Sequence, residues 1–262
     1  MTSPKSKKQE PVELYYVKKG QGLPLIFIHG WAASHRFWRH QIPFFAQKYQ
    51  VIAYDLRGHA DSSKPQKSYR VDDHVQDLVT LLADHQISNP VLVGHSLGGM
   101  IALQYTLEKP SKPRALVLVG TSPKPVASRK RSIQFSFLRL LIRLSRKRAA
   151  RFTEKELFAP DVNPDLVRWV NTESLRTPTY VILQILQDVK RFDVTARLPE
   201  IQIPTLILAG EYDTAVESRT MEQMENLLPK TQIQVISGAG HNCMLEQYST
   251  FNMVLDSFLR EL

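Results

Sequence analysis

The sequence predicts an α/β protein with a mostly parallel central sheet flanked by helices. Short runs that are apolar almost throughout alternate along the chain with longer stretches of helical period. Such runs are typical of strands covered on both faces, and the stretches between them are long enough for crossover helices. The six predicted strands cover residues 25–29, 51–55, 91–94, 115–120, 205–210 and 233–237.

The alternation of strands and helices is interrupted once, between Gly120 and Ile203. No strand signal occurs there, and proline-bearing turns separate several helical stretches. We therefore predict a helical lid, residues 122–200, inserted into a core of residues 11–121 and 201–262. The polar, basic residues 1–10 are predicted to be a flexible arm.

Composition places the chain among ordinary globular proteins of one core. It has 262 residues, of which 43% are hydrophobic and 23% charged, which argues against a disordered or fibrous chain. Cys243 is the single cysteine, so no internal disulfide can form and a reducing compartment is expected. The basic start resembles no secretory signal, and no apolar run reaches the roughly 18 residues of a membrane span. A cytoplasmic location is expected.

The most specific motif is the segment GHSLG at residues 94–98. It directly follows a predicted strand and precedes a run with helical character. Glycines at Gly94 and Gly98 allow a sharp turn from strand to helix, which lifts the hydroxyl of Ser96 above the sheet. We predict that Ser96 is a nucleophile.

A serine nucleophile needs a base, and the base needs an acid that orients it. His241 follows the last predicted strand, and Asp213 follows the strand before it, so both lie at the edge of the sheet where Ser96 is expected. Glu211 competes with Asp213 as the acid. We prefer Asp213, and the spacing alone leaves Glu211 open.

Acyl transfer also needs two backbone donors for the oxyanion. The residue after the nucleophile, Leu97, would supply one N–H group. Trp31, which follows the first predicted strand in the segment HGW, would supply the other. The bulky side chain of Trp31 would also pack in the core or against the acyl pocket.

Five ordered motifs together resemble the α/β-hydrolase fold, in the branch of small cytosolic esterases with a helical lid. They are HGW at 29–31, DLRGH at 55–59, GHSLGG at 94–99, GEYD at 210–213 and GAGH at 238–241. Within that fold the sequence is most similar to pimeloyl-acyl-carrier-protein methyl ester esterases, with enol-lactonases and cofactor-free haloperoxidases as relatives. Ala60 departs from the family, which has glycine after the Arg-Gly-His run.

The resemblance implies a serine carboxylic-ester hydrolase that acts through an acyl-serine intermediate, with carrier-linked acyl methyl esters of biotin synthesis as candidate substrates. Ser96 argues against the alkyl-enzyme route of dehalogenases and epoxide hydrolases, which have aspartate there. Perhydrolysis, lactone opening and C–C bond hydrolysis on the same residues remain alternatives, as does a binding protein without turnover. No cofactor is expected, and no metal, because the other histidines show no ligand spacing.

The positive charge is concentrated in the predicted lid. Residues 122–200 contain 16 Lys and Arg against 8 Asp and Glu, a net charge of +8 out of +9 for the chain. At helical spacing, Arg139, Arg143 and Arg146 would share one face, whereas an apolar face would carry Phe137, Leu140, Leu141 and Leu144.

Three interpretations of this basic helix stay open. It could be a solvated helix whose apolar face covers the active site, a docking surface for an acidic acyl carrier, or a contact with an anionic membrane surface. Nucleic acid is not expected as a partner, because the patch lacks a recognisable module and interleaved aromatic residues.

Overall fold

The protein is described by a computed structural model that covers residues 12–109, 113–124, 129–216 and 218–262. The predicted arm, residues 1–10, lies outside the described residues. Within them, seven strands form one sheet in the order β1-β3-β2-β4-β5-β6-β7. The strands are β1 Tyr16–Lys19, β2 Pro24–Ile28, β3 Gln50–Tyr54, β4 Val91–His95, β5 Ala115–Val119, β6 Thr205–Gly210 and β7 Thr231–Ile236.

All six predicted strands are present and parallel, which confirms the α/β class. The prediction missed β1, which pairs antiparallel with β3 through Tyr16 and Tyr54 at the edge of the sheet. Because β1 is an edge strand, its lysines stay exposed and its sequence lacks the apolar run that marks the central strands.

Ten α-helices lie within the described residues. They are α1 Gln41–Phe45, α2 Val71–Asp84, α3 Leu97–Glu108, α4 Arg129–Leu144, α5 Arg146–Leu157, α6 Pro164–Ser174, α7 Thr179–Val189, α8 Ser218–Leu227, α9 Cys243–Glu246 and α10 Tyr248–Arg260, with 3-10 helices at His35–Trp38 and Thr195–Glu200. The two faces of the sheet carry separate apolar cores, with α2 and α3 on one face and α1 and α10 on the other. None of these helices is both long and apolar enough to cross a bilayer.

Helices α4 to α7 lie between β5 and β6, where the sequence predicts an insertion. We call residues 129–200 the helical segment. The basic helix expected there is interrupted at Ser145, whose hydroxyl accepts a hydrogen bond from the N–H group of Arg148 at 3.4 Å and caps α5. The prediction that Arg146 shares a helical face with Arg139 and Arg143 is therefore wrong, because Arg146 begins the next helix.

The apolar face predicted on α4 does not cover the active site, which was one of its three interpretations. Leu138 and Ile142 are the buried side chains, and they pack with Ala149 of α5 and Ile182 of α7. The side chains of Phe137, Leu140 and Leu144 point outward instead, as their exposed fractions of 46%, 50% and 68% show. Helix α4 is thus apolar on two sides.

Candidate active site

Ser96 occupies the tight turn between β4 and α3. Its backbone has φ 52° and ψ −114°, a conformation that residues with a side chain rarely adopt, and its N–H group donates to the carbonyl of Val119 at 2.9 Å. A Cβ atom on Gly94 would collide with the carbonyl of Gly98, and one on Gly98 with the carbonyl of Ile28. The two glycines are therefore required for the turn that presents Ser96.

Asp213 and His241 are in direct contact at the same edge of the sheet. His241 Nδ1 lies 2.9 Å from Asp213 Oδ2, and the side chains are only 8% and 1% exposed. The other carboxylate oxygen, Oδ1, accepts the N–H groups of Ala215 and Val216 at 2.9 and 3.2 Å. The carboxylate is thus fixed in position with one oxygen directed at the imidazole.

The contact between the two side chains raises the pKa of His241 and lowers the pKa of Asp213. Burial lowers the pKa of His241, but the charge and hydrogen bond of Asp213 outweigh it, so the pKa is raised above 6.5. Burial alone would raise the pKa of Asp213, yet the imidazole and the two backbone donors bring it below 3.8. The pair therefore stabilises a positive charge on the imidazole.

Glu211, the competing acid, is directed elsewhere. Its carboxylate Oε2 accepts the hydroxyl of Ser237 at 2.7 Å and the N–H group of Gly238 at 2.9 Å. These contacts bind the loop after β6 to the end of β7. Of the two acids, Asp213 is the one that contacts His241.

Two residues that support His241 were missed in the sequence. His95 Nε2 lies 3.0 Å from the carbonyl oxygen of His241, and the two rings are 4.7 Å apart. Glu246 accepts the N–H group of Gly240 at 3.1 Å and that of Asn242 at 3.2 Å. His95 stands at the variable position of the GHSLG motif, and the loop contacts of Glu246 form only in the fold, so no pattern marked either residue.

The turn after β2 holds Trp31 near Ser96. The N–H group of the next residue, Ala32, donates to His59 Nε2 at 3.2 Å, while His59 Nδ1 lies 3.0 Å from the carbonyl of Arg57. Burial lowers the pKa of His59 to about 3, so the ring is neutral and Nε2 accepts. Among the described hydrogen bonds, the N–H group of Trp31 has no acceptor.

Leu97, the second expected donor, is the first residue of α3. The first N–H groups of an α-helix have no carbonyl acceptor within the helix. The N–H group of Leu97 is therefore free to bind an anion at the positive end of α3. Trp31 and Leu97 line the same cavity as Ser96 and His241.

That cavity has a volume of about 290 Å³ and is mostly apolar. The sheet edge supplies Ser96 and His241, and the helical segment supplies its apolar wall. The side chains of that wall include Leu138, Ile142, Leu157, Ile182, Leu186 and Val189. A cavity of this character fits an apolar acyl or alcohol group next to Ser96.

The three arginines predicted as a docking face lie in three different environments. Arg146 lines the cavity, and its guanidinium donates to the carbonyls of Ser174 and Thr177 at 2.6 and 2.8 Å. Burial lowers its pKa. Arg139 is half-buried with an unpaired Nε, and only Arg143 is exposed. They do not form one surface.

One group outside the site has the composition of a metal site. His35, Asp55 and Asp61 place ligand atoms within 4.8 Å of one another. Asp55 Oδ1 already accepts the N–H group and Nδ1 of His35 at 2.7 and 2.8 Å, and Asp61 pairs with Arg176. These contacts explain why the three residues lie together: they connect the loop after β2 to the loop after β3.

A serine at a strand-to-helix turn, next to a cavity that it shares with a histidine held by an aspartate, is an arrangement typical of serine hydrolases. The family model of the alpha/beta hydrolase fold matches residues 24–248. The chain therefore belongs to the α/β-hydrolase fold family, and its function is of the esterase type.

Individual relatives are distant but cover nearly the whole chain. A pimeloyl-[acyl-carrier protein] methyl ester esterase of Photobacterium profundum is 26% identical over 94% of this chain and 98% of its own. A bromoperoxidase of Bacillus anthracis is 26% identical with a TM-score of 0.89, over 96% of this chain and 97% of its own. An esterase of Exiguobacterium antarcticum has the same fold, with 23% identity, a TM-score of 0.89, and coverage of 95% and 96%.

Proposed function

We propose that the protein is a serine carboxylic-ester hydrolase with Ser96 as nucleophile, His241 as base and Asp213 as the acid that orients the base. The proposal depends mainly on one observation, the buried contact between Asp213 and His241 at the cavity into which the strained turn presents Ser96. The backbone N–H groups of Ala215 and Val216 hold the carboxylate of Asp213 in place, which supports its proposed role of orienting the imidazole.

In the proposed reaction, Ser96 Oγ attacks the ester carbonyl while His241 Nε2 takes the hydroxyl proton. The N–H groups of Leu97 and Trp31 hold the oxyanion, and Asp213 stabilises the imidazolium. Collapse of the intermediate expels the alcohol, which leaves with the proton from His241. Water then attacks the acyl-serine by the same steps and releases the acid.

These steps use only groups of the protein and one water molecule, so the proposal requires no cofactor. The cavity restricts the substrate to esters whose buried part is apolar and small enough for about 290 Å³. We place the reaction in the cytoplasm, because the single thiol of Cys243 is buried and unpaired and suits a reducing compartment.

Replacement of the nucleophile tests the proposal. Ser96→Ala should lower kcat for short p-nitrophenyl esters by about 10⁴-fold or more, because the remaining groups cannot form the acyl intermediate. Circular dichroism and the midpoint of urea unfolding provide the control that the variant is folded. Retention of more than a tenth of the activity in a folded Ser96→Ala protein would contradict the assignment.

A second candidate concerns the natural substrate, carrier-linked acyl methyl esters. The Photobacterium relative is named for such an ester, and the apolar cavity suits its acyl chain. The expected result is a higher kcat/KM for a methyl ester carried on acyl carrier protein than for the same acyl methyl ester on free pantetheine. Equal values would reduce the candidate to a general esterase.

The other reactions on these residues have separate tests. The bromoperoxidase relative supports perhydrolysis as an alternative, which oxidation of a halide by peroxide and acetate would detect. Ring opening of lactones and cleavage of C–C bonds are tested with their own substrates. A burst of product without steady turnover would indicate a binding protein instead.

A further inference from the structure

The outer side of α4 carries a row of large apolar side chains in contact with solvent. Ile133, Phe137, Leu140 and Leu144 recur at intervals of four, three and four residues, so they lie on one side of the helix. We call these four residues the apolar stripe. The ring of Phe152 in α5 extends the stripe, with its centroid 5.2 Å from that of Phe137.

This exposure is not a consequence of covering the cavity. Leu138 and Ile142 on the opposite side of α4 perform that function, and both are buried. The stripe adds a second apolar face, in which Ile133 and Leu144 are 64% and 68% exposed. A monomeric protein rarely presents such a contiguous row without a partner, because its contact with water is unfavourable.

The two helices that carry the stripe and Phe152 also carry exposed positive charges. Arg143 on α4 and four cations on α5 are exposed, and none of them takes part in an ion pair among the described residues. The four on α5 are Lys147, Arg148, Arg151 and Lys155. The surface therefore combines apolar and cationic groups in similar number.

We propose that this surface, the apolar stripe with Phe152 and these exposed cations, binds anionic lipid bilayers. The stripe is about 16 Å long from Ile133 to Leu144 and would lie in the plane of the interface with its side chains among the upper acyl groups. Arginine and lysine have long stems that reach outward to lipid phosphates while the apolar groups are immersed.

The apolar component favours a lipid surface over a soluble acidic protein. A protein partner would need a groove complementary to a protruding row of four large side chains, whereas a bilayer accepts a convex apolar row without such a match. In this orientation the cavity lies on the other side of α4, about one helix diameter of 10 Å from the lipid.

Binding to lipid goes beyond the proposed hydrolysis and needs no chemistry at Ser96. The test is co-sedimentation of the full-length protein with vesicles of phosphatidylglycerol and phosphatidylcholine, compared with phosphatidylcholine alone. We expect binding to the anionic vesicles only, weakened at least tenfold between 0.05 and about 0.5 M salt because the Debye length shortens. No binding to anionic vesicles would overturn the proposal.

Two double variants separate the two components. The double variant Phe137→Ser with Leu140→Ser should remove the apolar contact with the bilayer. The double variant Arg148→Glu with Arg151→Glu should remove the electrostatic attraction. Each is expected to weaken vesicle binding at least tenfold. Matched controls elsewhere on the surface are Val235→Ser with Met253→Ser and Lys18→Glu with Lys19→Glu.

All variants should hydrolyse p-nitrophenyl acetate like the unaltered protein, which shows that the fold and the reaction are intact. If the surface variants and the matched controls bound vesicles equally, the proposal would be wrong. It would also be wrong if the unaltered protein bound purified acyl carrier protein but no vesicles, and the surface variants lost that binding. The surface would then be a docking site for acyl carrier protein.

Discussion

The carboxyl edge of the sheet and the helical segment differ in how their charged side chains are partnered. At the sheet edge, the carboxylate of Asp213 is buried and that of Glu246 is half-buried, and each accepts several hydrogen bonds. On the outer side of the helical segment, cations and large apolar side chains are exposed, and the described ion pairs leave Arg143 and Arg148 without an acid. The helical segment has 15 Lys and Arg against 8 Asp and Glu, a net charge of +7 out of +9 for the chain.

The difference reflects what each region must do. A catalytic group has to be held in one geometry, and buried charges are tolerated only when fixed partners satisfy them. A surface that meets a deformable or variable partner needs exposed groups with freedom to adjust. Substitutions in the two regions should therefore differ in size and in kind.

The largest difference is expected between the two acids near His241. Asp213→Asn should lower kcat for a p-nitrophenyl ester by about 10⁴-fold, because the amide can hold neither the required tautomer nor the imidazolium. Glu211→Gln, on the neighbouring loop, should change kcat by less than about threefold. Similar losses from both substitutions would show that Asp213 is not the orienting acid.

The next difference concerns stability. Arg57 donates to both carboxylate oxygens of Asp77 at 2.5 Å, with both side chains about nine-tenths buried. Arg57→Met leaves Asp77 buried without its partner and should lower the free energy of unfolding by about 3–5 kcal/mol. Arg143→Met in the exposed region should stay within about 0.5 kcal/mol. Urea unfolding measures both, and equal effects would remove the distinction between the regions.

The smallest effect is a displacement of the pH profile. His241 must be neutral to accept a proton, and Asp213, with smaller contributions from Glu246 and Glu156, raises its pKa above 6.5. Activity should therefore fall about tenfold per pH unit below that raised pKa. In Asp213→Asn the acid limb of the residual activity should move to lower pH, whereas Glu211→Gln should keep it. If the acid limb of the pH profile stayed at the same pH in Asp213→Asn, Asp213 would not be the group that raises the pKa of His241.

The central strands and the tight turn at Ser96 could be predicted because their signals are local. A buried strand must be apolar throughout, and the turn at Ser96 admits only glycine at Gly94 and Gly98. Strand β1 was missed because a short edge strand buries little. Spacing could not separate Asp213 from Glu211, since both follow β6 and their side-chain directions depend on the loop contacts of each.

The sequence by itself determined the parallel sheet, the chain order of Ser96, Asp213 and His241, and the location of the charge between β5 and β6. Only the tertiary structure decided which acid meets the histidine, that Arg146 turns into the cavity, and that the apolar stripe faces outward. Helical period defines which residues share a face, but α4 is apolar on two sides. The packing of Leu138 and Ile142 against α5 and α7 selects the side that is buried.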